Sequence, residues 1–251
     1  MTIDAPSRAQ YPMLKALWRQ AFGDPESFVE AFFATGFSPE RCRCLCVDGK
    51  VAAALYWFDC TAAGKKWAYI YAVATDISHR GKGLCPTLME DAHRHLSAAG
   101  YAGAVLVPAK DHLWAYYEKL GYTAFGGVCK SEISGTDTPF AVERISPAAY
   151  RSARSAYLPA GGLCQVDALP FYETWGGLYQ GEGILFAAAK EEETLYFQEF
   201  WGDPEKLPGA ISALGAKTGH LRTCGGETPC GMYRKCRTEE SAPTYLGFAL
   251  D

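Results

Sequence analysis

The stretch IYAVATDISHRGKGLCPTLMEDAH runs from strand to paired glycines to helix within a few residues, and this junction constrains the chain more than any other feature. The first amides of a helix have no intrahelical partner, and the helix dipole adds positive character there. Glycines let the backbone come close to an anion. Pro86 suits a first helical turn, where a missing N–H costs little. Arg80 and Lys82 add charge. Three phosphate-loop patterns can be held against it. The Walker pattern G-x-x-x-x-G-K-[ST] is not met. The dinucleotide pattern G-x-G-x-x-G fails because Pro86 stands where the third glycine belongs. The pattern [QR]-x-x-G-x-[GA] is met by Arg80 and Gly83, with Cys85 in the small-residue place. Taken alone, HRGKGLC reads equally as a phosphate cradle or as a basic turn, since the chain holds 26 glycines.

Periodicity supplies the surroundings. Met13, Leu14, Leu17, Trp18 and Phe22 make one helical face in QYPMLKALWRQAF. PESFVEAFFATG predicts a second helix, with Pro25 near its first turn and Gly36 past its end. RCRCLCV and KVAAALYWFD read as strands joined by Asp48-Gly49, a strong hairpin signal. KKWAYIYAVATD is a third strand, and LCPTLMEDAHRHLSAAG the helix after the glycine pair. AGAVLVPA is a buried strand, HLWAYYEKLG a short helix and YTAFGGVCKSEI a strand. The order α-α-β-β-β-α-β-α-β predicts antiparallel hairpins, then one parallel pair made by a crossover.

A polar link at 131–139 separates this part from a second one. There FAVERI reads as strand, PAAYRSARSAYL as helix and ALPFYETWGGLY as a further helix. GILFAAAKEEETLYFQEFWGD is a hairpin turning at Glu191–Glu193, PEKLPGAISALGAKTG a weak helix, and GHLRTC, MYRKC and TYLGFAL are strands. The halves share an order of elements, as a duplication would leave. In the second, FWGD passes straight into PEKLP, with no glycine pair and no arginine.

Composition excludes some classes. The chain has 251 residues, 49% of them hydrophobic, and a net charge of −4. That balance argues against a nucleic-acid binder. No apolar run approaches the ~18–20 residues of a membrane span, and the start lacks a signal-peptide pattern, so a cytoplasmic protein is expected. The ten cysteines are then read as thiols. Cys42, Cys44 and Cys46 alternate at strand spacing and point to one face, which suits core packing. Cys224, Cys230 and Cys236 have no histidine at ligand spacing and form no C-x-x-C pair, so no metal is assigned.

Context settles the junction. IYAVATDISHRGKGLCPTLMEDA, followed by a strand and then by WAYYEKLGYTAF, resembles the GNAT superfamily of acyl-CoA N-acyltransferases over residues 1–130. The resemblance implies an α+β fold: a mixed, mostly antiparallel central sheet flanked by helices, here as a tandem of two GNAT-like halves. It implies acetyl-CoA as cosubstrate, with Val73, Ala74 and Thr75 along the pantetheine arm. Arg80, Gly81, Lys82, Gly83, Leu84 and Cys85 would wrap the pyrophosphate. Pro86 removes one amide donor, for which the Thr87 hydroxyl would compensate.

The implied reaction moves an acetyl group to a primary amine by direct attack on the thioester. Tyr117, in YYEKLGY, is where the family places the acid that protonates the departing thiolate. Free tyrosine titrates near ~10, so it is protonated at neutral pH. The base is not legible; Asp59 and His112 are candidates. His93 and His95 sit two apart on a helix and face different ways. The acceptor is a small-molecule or peptide amine, with no nucleic acid and no membrane as partner. A non-catalytic acyl-CoA sensor is the alternative, and it differs at Tyr117. Residues 140–251 read as a degenerate GNAT-like domain without the phosphate loop, which covers the cleft, closes the sheet or makes a homodimer. Its Phe171, Tyr172, Trp175, Tyr179, Phe200 and Trp201 fit either a cleft lining or an ordinary core.

Overall fold

A computed structural model of the chain describes residues 1–250; Asp251, the end of the predicted strand TYLGFALD, lies outside the described residues. The chain begins with β1 (Thr2–Asp4), α1 (Tyr11–Phe22), α2 (Glu26–Thr35), β2 (Cys42–Val47), β3 (Lys50–Ala62) and β4 (Lys65–Thr75). Next come α3 (Leu84–Ala98), β5 (Gly103–Leu106), α4 (Asp111–Glu118), β6 (Thr123–Phe125) and β7 (Val128–Ser134). Then follow β8 (Val142–Arg144), α5 (Pro147–Arg154), β9 (Cys164–Gln165), α6 (Ala168–Tyr172) and β10 (Gly177–Gly181). The last elements are β11 (Ile184–Glu191), β12 (Thr194–Gly202), α7 (Leu207–Ala213), β13 (Thr218–Cys224) and β14 (Gly231–Lys235). No helix among the described residues is long and apolar enough to cross a membrane.

Two compact units divide the chain: Met1–Thr123 with Tyr233–Ser241, and Ala124–Met232 with the residues from Ala242 on. The expected cut at 131–139 falls elsewhere, because β7 runs through the start of that stretch and pairs along β13 from Val128↔Cys224 to Ser134↔Thr218. The expected strand YTAFGGVCKSEI already overlaps the start of that stretch, and the ladder carries it through Ser134, since an exposed outer strand needs no apolar alternation.

In the first unit the strand order is β1-β2-β3-β4-β5-β14. The β2–β3 turn has Asp48 at φ 49° and Gly49 at φ 78°, the left-handed pair that a two-residue hairpin requires. β4 and β5 are parallel, as the crossover through α3 dictates. Gly103 has to be glycine: a Cβ there would lie 2.4 Å from the Trp67 ring and 2.5 Å from the Arg234 carbonyl oxygen of β14. Cys42, Cys44 and Cys46 are buried on one face of β2, as the alternation predicts. Burial raises the Cys44 thiol to about 12, which keeps it protonated.

In the second unit the order is β7-β13-β12-β11-β10-β8. Helix α7 packs on β11 and β12 through Leu207, Ala210 and Ile211 against Phe186, Leu195 and Phe197. Both sheets are mixed and mostly antiparallel. Apart from β9, which lies between α5 and α6, they repeat one succession: a short strand, two helices, a three-stranded meander, a helix and a parallel strand.

Three local expectations change. The helix expected over ALPFYETWGGLY stops at Tyr172, and the rest turns into β10, because two glycines at 176–177 end the helix and Leu178 pairs with Ala187. YTAFGGVCKSEI is two strands, broken where Gly126 adopts φ 59°. TYLGFAL forms no ladder among the described residues. Tyr245 makes one bridge to Gly162, and the Gln165 amide donates to the Phe248 carbonyl at 2.6 Å, so the segment is a buried strap.

Candidate acyl-carrier site in the first unit

The parallel ladder between β4 and β5 spans Trp67↔Gly103, Ala68↔Ala104 and Tyr69↔Val105, and then stops. Beyond it Ile70–Thr75 keeps its partner on the β3 side only, which opens a wedge. At its start the β3–β4 register slips between Ala54 and Tyr56. Ala72 there takes φ 50°, left-handed backbone that costs a non-glycine residue about 1–2 kcal/mol. Such strain tends to collect at functional sites. Alanine is the smallest side chain with a Cβ, so the pattern AVAT concealed the bulge. Val73 and Thr75 are half-buried and Ala74 is buried.

Past Thr75 the Asp76 carboxylate organises the loop. It accepts from the Ser78 amide at 2.9 Å, from the Ser78 hydroxyl, from His79 Nδ1 at 3.0 Å and from Gln20 Nε2 at 3.0 Å. Hydrogen bonds from Ser78 first, then His79 and Gln20, hold it well below the usual carboxylate range. Gly81 and Gly83 sit at φ 74° and φ 76°, and a Cβ on either would meet nothing within 4 Å. They are needed for their backbone angles, not for want of space. Gly83 precedes α3 with no side-chain cap and no acid in the first turn. The amides of Gly81, Lys82, Gly83, Leu84 and Cys85 donate to no acceptor among the described residues. Five successive free N–H groups at a helix start make a ready anion nest.

The charged and polar neighbours are arranged around that nest. Arg80 folds back so that its Nε donates to the Thr75 carbonyl at 3.1 Å, and Lys82 is exposed. The Thr87 hydroxyl donates to the Gly83 carbonyl at 2.9 Å, so its proton is spent inside the helix turn.

Helix α4 brings its tyrosines to the same corner. Burial first, and then the neighbouring Cys85 thiol, raise the Tyr116 hydroxyl well above the value of free tyrosine. The loop helix and α4 thus meet at Cys85 and Tyr116. The Tyr117 ring is buried between Tyr116 and Tyr122, with centroids at 5.3 and 5.8 Å. Its hydroxyl has no partner among the described residues, yet it is not one of the sealed polar atoms, so it reaches solvent. Burial, and then the nearby Cys85 thiol, raise its pKa well above that of free tyrosine. It therefore holds its proton at any ordinary pH.

The base candidates lie apart from this corner. Asp59 faces Ala68 across the β3–β4 ladder, short of the wedge. It accepts from the Tyr101 hydroxyl at 2.6 Å and pairs with Lys66 at 3.0 Å. His112 is exposed in the first turn of α4. His93 and His95 face different ways as expected: His93 is buried against the Tyr122 hydroxyl at 2.8 Å, and His95 lies beside Trp57.

The second unit has a parallel pair of the same length, Thr194↔Thr218 to Tyr196↔His220. Past that pair the two units part company. Glu199, fully buried on β12, accepts from Tyr150 at 2.8 Å and from the Arg154 guanidinium through both of its oxygens. Phe200 and Trp201 are buried, as are Phe171 and Tyr172, so these aromatics belong to the core. The Glu205 amide is already taken by Asp203 at 3.0 Å.

A strained bulge, a splayed parallel pair and a free amide nest at the next helix mark this mixed, mostly antiparallel α+β unit. Residues 2–125 match the profile of the acetyltransferase (GNAT) domain. The N-terminal half of the chain thus belongs to the GNAT family. No curated protein matches the sequence. Among solved structures, a GCN5-related N-acetyltransferase from Kribbella flavida is 17% identical, covers 94% of this chain and 72% of its own, and superposes with a TM-score of 0.68. A GCN5-related N-acetyltransferase from Anabaena variabilis is 16% identical over 94% of this chain and 73% of its own, with a TM-score of 0.66. A protein from Pyrococcus horikoshii is 13% identical over 99% of this chain and 95% of its own, also with a TM-score of 0.66. At these identities the likeness is one of fold, and it extends over both units.

Proposed function

We propose that the first unit moves an acetyl group from acetyl-CoA to a primary amine. The observation that carries this reading is the run of free amides from Gly81 to Cys85, set at the end of a strand that has parted from its neighbour. The amides receive the pyrophosphate, with Lys82 adding charge. The pantetheine arm lies along Val73–Thr75 in the wedge, where β4 offers backbone groups that β5 no longer uses.

The amine gives one proton to solvent water before it attacks the thioester carbonyl, and its second proton leaves through water as the amide forms, which restores the proton that Tyr117 gives up. As the nitrogen–carbon bond forms, charge gathers on the carbonyl oxygen. A backbone N–H of the strained stretch at Ala72–Val73 stabilises it; a donor of this kind contributes about 10²–10³ in rate. As the carbon–sulfur bond breaks, the Tyr117 hydroxyl gives its proton to the departing thiolate. Its raised pKa suits this role, because the proton is held until a stronger base forms beside it. The second unit, with Glu199 and Arg154 filling the corresponding place, carries no cosubstrate of its own.

Titrating the full chain with CoA by calorimetry tests the cradle: no heat of binding at millimolar ligand would end this reading. Thiol release across classes of amine then tests transfer. Tyr117→Phe is expected to lower kcat by about 10²–10⁴ while CoA affinity stays the same. Undiminished turnover on every amine would remove Tyr117 from the mechanism and favour a second acid.

A further inference from the structure

The second sheet ends in two edges of unequal kind. On one side lies β8, three residues long. On the other lies β7, seven residues long and exposed from Cys129 to Glu132. A short edge strand offers little to another chain, whereas a long one presents a row of unpaired N–H and C=O groups. The phase of the ladder settles which groups those are. The Gly225 amide donates to the Gly127 carbonyl at 2.9 Å and the Gly135 amide to the Lys217 carbonyl at 2.7 Å, so the odd-numbered residues of β7 turn their backbone groups toward β13. The even-numbered residues turn theirs outward. The outward N–H of Val128 is taken by the Thr228 carbonyl at 2.8 Å. The outward groups of Lys130 and Glu132 have no partner among the described residues.

The side chains along this edge form a chemical palindrome centred on Ser131. Cys129 and Ile133 flank it on the face that carries Leu221, and Lys130 and Glu132 flank it on the face that carries His220 and Arg222. Neither Lys130 nor Glu132 forms an ion pair among the described residues. Both border an open dish with Tyr196 and His220, whose rings stack at 5.1 Å. A lone lysine on an edge strand protects it against pairing. Glu132 cancels that protection for one partner, an antiparallel copy of the same strand. With Ser131 opposite Ser131 of a second copy, Lys130 falls opposite Glu132 in both directions and Cys129 opposite Ile133. The same register sets the outward N–H and C=O of Lys130 against those of Glu132, the closely bonded pairing of an antiparallel ladder. A shift by one residue would set outward groups against inward ones, and parallel pairing in step would set lysine against lysine.

We infer that β7 is a self-association edge: a second copy of this chain pairs with it, antiparallel, about a two-fold axis through Ser131, and joins two second sheets into one. Backbone bonds give the pairing its strength, and the reciprocal Lys130–Glu132 pairs fix its register. The interface is isologous, one patch serving both copies. A foreign strand meets the same backbone groups, but only a copy of β7 meets both charges.

Light scattering and sedimentation of the full chain across rising concentration read the association. The expected result is twice the chain mass at the upper end. Lys130→Glu sets acid against acid across the axis, and Glu132→Lys sets base against base, so the dimer dissociation constant of either variant alone should rise about tenfold or more. Mixed in equal parts, the two variants again pair every acid with a base, and dimers should return at the original concentration. That recovery also shows both variants to be folded. Glu132→Pro removes one outward N–H and spares every bond to β13, so it should give the single-chain mass with the circular dichroism of the folded chain. A single-chain mass for the unaltered protein at every concentration would overturn the inference and leave this edge to a strand of another protein. Variants that associate as well as the unaltered chain, or a mixture that stays apart, would overturn it too.

Discussion

The pairs β4–β5 and β12–β13 begin alike and end differently. Each is a parallel ladder of three residue pairs between a long strand and a short one. Each long strand also carries a register slip against its hairpin partner, between Ala54 and Tyr56 in one sheet and between Ala187 and Ala188 in the other. In the first unit the parted strand continues with Ala72, Val73 and Ala74 into free amides. In the second it continues with Glu199, Phe200 and Trp201, all buried, and the next turn is closed by Asp203. The backbone device is common to both units, and side-chain volume and amide occupancy decide whether a ligand can use it.

The contrast can be broken at its strongest point first. Gly83→Glu sets a carboxylate where an anion is to bind and forces a left-handed angle on a residue that resists it. CoA affinity should fall beyond detection by calorimetry, and retained affinity would show that the nest is not the cradle. On the other side, Arg154→Met leaves Glu199 buried without its cation. Loss of one partner of a buried pair costs about 3–5 kcal/mol, so the melting temperature should drop by many degrees. CoA affinity should hold wherever the chain remains folded, because no ligand role falls to the second unit.

Acid separates the units more gently. Burial and then Arg234 lower His93 in α3 from 6.5 to about 4. A histidine kept neutral when folded costs nothing at pH 7. It destabilises the fold as pH falls below the unfolded value of 6.5, because only the unfolded chain then takes up the proton, and the effect saturates near 4. Helix α7, LPGAISA, has no titratable side chain. The first unit should therefore lose stability across this window, and His93→Gln should flatten the dependence, as thermal melts at pH 7, 5.5 and 4.5 would show. An unchanged slope would mean that other groups set acid stability.

Much of this was legible in the residues. The 3.6 and 2.0 periods place α1, α2, β2, β3, β4 and α3 within a few residues of their observed ends, and Asp48-Gly49 marks the hairpin. The glycine pair and Pro86 mark the loop. The elements that escaped are those whose cause lies far off in the chain. The break between β6 and β7 at Gly126 is not visible in YTAFGGVCKSEI, which reads as one strand, and β10 looks helical until its pairing with β11 is known. At the site, Ala72 gives no sign of its left-handed angle, which the slip against β3 imposes. Cys85 and Tyr116 lie on two helices that only the fold brings together, and the hydrogen bond from Gln20 to Asp76 likewise joins segments far apart in the chain.

Strand β14 has a consequence in time. It lies beside β5, yet it is synthesised after the whole of the second sheet. As the chain leaves the ribosome, residues 1–125 emerge with β5 lacking its outer neighbour. Synthesis of the second half takes roughly 5–20 s more at ordinary rates. Until then the wall of the wedge stands on a strand held from one side only, with Gly103 waiting for the Arg234 carbonyl it is shaped to meet. The first unit matures last although it is made first, so a nascent chain arrested early would carry the loop and the tyrosines without the sheet that holds them in place.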